Sequence, residues 1–81
     1  MKTAYLYCKT GEAEKKNKYA FTVYLWKGKK GSGILSKKFF QGKNKMKVNI
    51  LEENGDTSTI LFPKKIMNKD VAIVNSAYLT L

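Results

Sequence analysis

The run Tyr19-Ala20-Phe21-Thr22-Val23-Tyr24-Leu25-Trp26-Lys27 is built almost entirely from aromatic, β-branched and aliphatic residues in strict alternation. A period of two sends Tyr19, Phe21, Val23 and Leu25 to one face and Ala20, Thr22, Tyr24 and Trp26 to the other, which is the signature of a strand. Residues of these types also suit a pleated, half-buried surface. The same period appears upstream, where Thr3 to Lys9 sets Ala4, Leu6 and Cys8 against Tyr5, Tyr7 and Lys9. Downstream, Met46 to Leu51 sets Met46, Val48 and Ile50 against Lys45, Lys47 and Asn49. In Glu53-Asn54-Gly55-Asp56 the Asn-Gly pair predicts a type I′ hairpin turn, with Thr57 to Phe62 as the returning strand.

The connections follow from punctuation. Thr10 to Lys18 has no apolar face and predicts a polar loop, and Gly28-Lys29-Lys30-Gly31-Ser32-Gly33 predicts a mobile basic hairpin loop. Ile34 to Gln41 reads as extended, with the adjacent pairs Ile34-Leu35 and Phe39-Phe40 placing apolar groups on both faces. Gly42 to Lys45 is a second basic turn. Pro63 ends its strand, and Lys64 to Lys69 predicts one helical turn after it. Val71 to Leu81 closes the chain as an apolar strand, bent near Asn75-Ser76. The expected fold is mainly β, a single domain over residues 1–81. It is a small five- or six-stranded antiparallel barrel or rolled sheet (OB- or SH3-like) with at most one short helical turn.

Composition removes several kinds of function. Eighty-one residues allow one modest core. There is no His, so neither a Cys/His zinc site nor a His-activated nucleophile can be built, and the scattered carboxylates suggest no metal. An enzyme is therefore not expected, nor any cofactor. Cys8, the one cysteine, falls in phase with Leu6 and Ala4 and reads as a buried hydrophobe. The start of the chain carries no long apolar segment of the signal-peptide kind, and no uncharged run approaches the roughly 18–20 residues of a membrane helix, so a cytoplasmic protein away from membranes is expected.

Charge supplies the positive signal. Sixteen Lys and no Arg stand against six acids, giving a formal net charge of +10. From Lys15 to Glu52 the chain has eleven Lys and no Asp or Glu before Glu52 itself. Such self-repulsion is relieved by a polyanion, and nucleic acid is the commonest. On the face opposite the expected core lie Tyr5, Tyr7, Tyr24 and Trp26, bordered by Lys9 and Lys27. Aromatic rings flanked by cations are what stacking of unpaired bases requires. Lys27, Lys29, Lys30, Lys37, Lys38, Lys43, Lys45 and Lys47 are expected to share one side of the fold and to contact phosphates. Lysine is a point charge without the planar fork that reads guanine, so weak sequence preference is expected.

A short barrel with aromatic strands and Lys-rich hairpins loosely resembles OB-fold single-stranded DNA-binding proteins, including small viral ones. No family motif can be quoted for it, and no residue role is transferred. The leading expectation is thus a single-stranded DNA- or RNA-binding protein. The alternative is a virus- or plasmid-encoded interaction or inhibitor module that docks on an acidic protein partner, with the exposed aromatics as anchors. The charge-free segment Val71 to Leu81 either closes the barrel within the chain or joins two copies in a homodimer.

Overall fold

The computed structural model describes residues 1–81. Every regular element is a strand except for three isolated 3-10 turns. The strands are β1 (Lys2–Glu12), β2 (Lys18–Tyr24), β3 (Lys30–Ser36), β4 (Phe40–Gln41), β5 (Lys45–Asn54), β6 (Thr57–Ile66), β7 (Lys69–Asn75) and β8 (Leu79–Thr80). They form one antiparallel sheet in the order β3-β2-β1-β5-β6-β7, with β4 added to β5 and β8 to β1. The sheet curls into a half-barrel around one core. No helix is long and apolar enough to cross a membrane.

Strand β1 organises the curl. Its first half, Lys2 to Tyr7, pairs with β5 along one edge, and its second half, Cys8 to Glu12, pairs with β2. Where β2 has left, β8 takes its place, pairing Tyr5 with Thr80 and Leu6 with Leu79. Leu6 is therefore flanked by a strand on either side and is fully buried. The alternation predicted from sequence is the alternation of burial: Ala4, Leu6, Cys8, Phe21, Val23, Met46, Val48 and Ile50 all enter the core. Tyr19 and Leu25, expected beside them, are half-buried at its margins. The sole buried polar side chain besides backbone is Ser58, whose hydroxyl shares a 2.8 Å hydrogen bond with Ser76.

Several connections differ from expectation, each for a local reason. The loop expected over Thr10 to Lys18 shrinks to residues 13–17, because cross-strand pairing carries β1 to Glu12 and starts β2 at Lys18. The strand expected to reach Lys27 ends at Tyr24, and the chain reverses through Leu25 to Lys29, where the Leu25 amide donates to the Lys29 carbonyl at 2.8 Å. Lys27 and Gly28 take left-handed φ values of 63° and 74° within that reversal. Gly31 and Gly33, expected in a mobile loop, instead lie in β3 opposite Val23 and Phe21. A Cβ at either glycine would come within 3.2 Å of those side chains. These glycines mark close packing of a strand, not a loop.

Pro63 does not end β6, which continues to Ile66; it sits beyond Leu61, the last residue paired to β5, where a missing N–H breaks no ladder. The helical turn expected at Lys64 to Lys69 is a tight hairpin instead, with Met67 and Asn68 at φ 51° and 65°. That is the type I′ pattern, whereas the hairpin predicted as type I′ from Asn54-Gly55 centres on Gly55-Asp56 and places Gly at the first central position, as type II′ turns prefer. The extended segment expected from Ile34 to Gln41 is broken by a 3-10 turn at Lys37–Phe39, which lets both Phe39 and Phe40 pack against the core. The bend expected near Asn75-Ser76 is present as a 3-10 turn, Ser76–Tyr78.

Cys8 is fully buried, and that burial pushes its thiol up to about 11 from 9.0. Its thiolate population at neutral pH is thereby reduced about hundredfold relative to an open thiol. Modification by a thiol reagent is expected to be slow in the native protein and fast in denaturant, so Cys8 reports opening of the core. A native rate equal to the denatured one would place the β1–β2 pairing, where Cys8 lies opposite Val23, outside the stable core. The linked effect has a definite sign: the folded form holds the Cys8 proton longer, so this contribution to stability is lost as pH rises from about 9 through 11.

Candidate nucleic-acid interface

The outward face of β1 carries Tyr5, Tyr7 and Lys9, the residues between its buried positions. Pairing with β5 places Lys47 across from Tyr5 and Lys45 across from Tyr7. Pairing with β2 places Thr22 across from Lys9, so Tyr24, two residues on, falls beside Tyr7. The two rings stack, with centroids 6.1 Å apart and planes 17° from parallel. A third ring joins them where β8 replaces β2: Tyr78 lies 6.0 Å from Tyr7 and 6.3 Å from Tyr24. Tyr7 and Tyr78 are 39% and 38% exposed, so this triangle of rings is open to solvent.

Local chemistry holds each ring in place. Tyr24 is the last residue of β2 and pairs with Lys30. Tyr78 is fixed by its 3-10 turn, in which the Asn75 side chain accepts from the Ala77 amide at 2.9 Å. The Ser76 amide donates to the Asp56 carbonyl at 2.8 Å, tying that turn to the β5–β6 hairpin. Trp26 is not on a strand, as the alternation had implied, but in the 3-10 turn Trp26–Gly28, 37% exposed. It lines a cleft of about 310 Å³ together with Tyr24, Tyr78 and Lys27, Lys29 and Lys30. No residue of that turn is buried.

Cations surround these rings. The Nζ atoms of Lys9 and Lys30 lie 5.9 and 5.8 Å from the Tyr24 centroid. Lys45 and Lys47 border the other side through β5. A second aromatic spot continues the track past Lys47: Phe39, with Lys38 Nζ at 5.3 Å and Lys64 Nζ at 5.9 Å from its ring. Lys38, Phe39 and Lys47 share a cleft of about 310 Å³ with Pro63. Two expected residues stand apart. Lys37 sits over Tyr19 at 4.8 Å and within 4.0 Å of Glu12, at the far end of the β2–β3 hairpin. Lys43 is in the turn before β5, where its carbonyl accepts from the Thr10 hydroxyl. The acids gather at hairpin ends, Glu12 and Glu14 at one, Glu52, Glu53 and Asp56 at another, and Asp70 after the β6–β7 turn. None lines either cleft.

Sequence reasoning missed Tyr78 and Lys64. The spacing assigns Tyr78 to a closing strand, and only the Asn75-Ser76 break signals that its phase resets there. Comparison of the chain with protein-family models, curated proteins and solved structures finds no match to any.

Proposed function

We propose that the chain binds single-stranded nucleic acid with weak sequence preference. Tyr7, Tyr24, Tyr78 and Trp26 stack bases, and Lys9, Lys27, Lys29, Lys30, Lys45 and Lys47 hold the backbone, with Tyr5 extending the surface along β1. The observation that carries this reading is the solvent-open Tyr7–Tyr24–Tyr78 triangle, with Lys9 and Lys30 over one ring and no carboxylate lining the adjoining cleft. Stacking is tolerant of base identity because every base offers a π face. Absence of Arg removes the bidentate reader of guanine, which keeps discrimination low. Phe39 with Lys38 and Lys64 extends the track beyond β5.

Trp26 is the sole tryptophan and an internal reporter. Titration with oligothymidylate or oligouridylate is expected to quench its fluorescence. If about five phosphates are engaged, log affinity should fall with log salt at a slope near −3.5. Trp26→Ala, followed by anisotropy of a labelled oligonucleotide, is expected to weaken binding by about 1–3 kcal/mol per lost stack. Its melting temperature should be nearly unchanged, since the ring is outside the core. Quenching that ignores salt, or a large drop in melting temperature, would overturn the assignment of this face.

A further inference from the structure

The half-barrel leaves a seam. Strands β3 and β7 are the two ends of the sheet order, and neither has a partner along its outer edge. Near the start of β3 the seam narrows, because Gly31 faces Ile66 of β6, with a Cβ there 3.7 Å from Ile66 Cγ2. Beneath it lies a cavity of about 360 Å³, lined by Leu25, Phe62, Ile66, Met67 and Ala72. Its rim carries Lys29 and Lys30 on the β3 bank and Lys69 on the β7 bank, and no acid lines it. The ion pairs of the molecule are Lys2–Glu53 and Lys37–Glu12, so all three rim lysines lack a carboxylate partner.

We propose that this seam is a docking groove for an extended acidic peptide, with an aliphatic side chain seated in the cavity and flanking carboxylates on Lys29, Lys30 and Lys69. Three observations select that occupant. The apolar floor is Leu25, Ile66, Met67 and Ala72 with one ring, Phe62, that is itself buried, which suits an aliphatic anchor and offers little for base stacking. The cations stand on both banks, which suits a chain bearing several anions more than a ligand with one head group. The free edges supply unpaired backbone donors and acceptors to an extended segment, as in strand addition to an exposed sheet edge. A second copy of a chain with net charge +10 is repelled from a cationic rim. Because Lys29, Lys30 and Leu25 line this cavity and the aromatic cleft alike, peptide and oligonucleotide compete for the same lysines. That last consequence rests on the proposed function; the docking itself does not.

The test uses a short fluorescein-labelled peptide of Glu and Asp around one Leu, titrated into the full chain without nucleic acid. Anisotropy is expected to rise, and amide shifts should centre on Gly31, Ile66 and Ala72. Lys69→Glu should weaken binding about tenfold, and Lys16→Glu, the same change of net charge in the β1–β2 connection, by less than about twofold. A peptide with Gly in place of Leu should lose most of the affinity, and Ala72→Phe should act likewise by filling the cavity. Equal effects of the two Lys variants, equal binding of the Gly peptide, or shifts confined to Tyr7, Tyr24 and Tyr78 would overturn the proposal. Displacement of the peptide by a medium-chain fatty acid at far lower concentration would overturn it in favour of a small amphiphile. Unlabelled oligothymidylate added last is expected to displace the peptide. If it neither displaces the peptide nor quenches Trp26 while the peptide results hold, the nucleic-acid reading is the one at fault.

Discussion

Leu6→Ala is expected to remove a large share of the folding stability. Leu6 is fully buried between β5 and β8, opposite Met46 and Leu79, at the place where one strand closes both halves of the sheet. Truncation of a fully buried Leu removes its transfer free energy and leaves a cavity, about 2–5 kcal/mol together. A chain of this length has a total stability of only about 4–12 kcal/mol. The loss should be toward the upper end, because β-ladders on both edges hinder collapse of the site. Urea unfolding followed by Trp26 fluorescence measures it. A midpoint close to that of the parent would mean that β8 does not close over this position in solution. Leu6→Met, which nearly conserves volume, should cost less than about 1.5 kcal/mol and serves as the comparison.

The double variant Tyr7→Ala/Tyr24→Ala is expected to reduce affinity for single-stranded oligonucleotides by about 2–4 kcal/mol, roughly one and a half to three orders of magnitude. The two rings are in contact, so the combined loss should not equal the sum of the single losses. Tyr7→Phe/Tyr24→Phe keeps both π faces and is expected to retain most of the affinity. That pair of outcomes separates stacking from hydrogen bonding by the hydroxyls. Both residues lie on the outward face, so calorimetric melting should change far less than in Leu6→Ala. If affinity survives the double Ala variant while melting falls, the rings are structural and the lysines alone attract the polymer.

The core was legible where alternation was clean. Ala4, Leu6 and Cys8, Phe21 and Val23, and Met46, Val48 and Ile50 all point inward as their spacing requires, because a one-residue slip would expose every one of them. Turns were less legible. Asn-Gly announced a hairpin correctly but not which residues occupy its centre, since the ladder pairs Asn54 itself with Thr57 and leaves Gly55-Asp56 at the turn. Of Met67-Asn68 only Asn68 is a residue that readily takes positive φ, and the tight reversal between Ile66 and Lys69 imposes it on Met67 as well. The glycines of β3 misled for an opposite reason: small side chains look like a loop until Val23 and Phe21 are seen to lie against them.

The aromatic face was half legible. Tyr5, Tyr7 and Tyr24 follow from the period of two within their strands, and Lys45 and Lys47 follow from the period within β5. That these strands become neighbours is a matter of topology, which a period cannot disclose. Tyr78 comes to Tyr7 and Tyr24 only because β8 returns to β1, and Lys37 leaves the group only because the β2–β3 hairpin carries it to Glu12.

The return of β8 also bears on the order in which the molecule comes into being. Tyr5 pairs with Thr80, so β1 leaves the ribosome long before the strand that covers its open edge exists. Contacts this far apart in the chain slow folding, since loop closure must precede any gain from pairing. Until synthesis reaches β8, Tyr7 and Tyr24 lack their third ring and Leu6 lacks one wall. The nascent chain is therefore basic and leaves apolar strand surface uncovered, and the cluster of three rings is complete only after synthesis passes Tyr78 and Thr80.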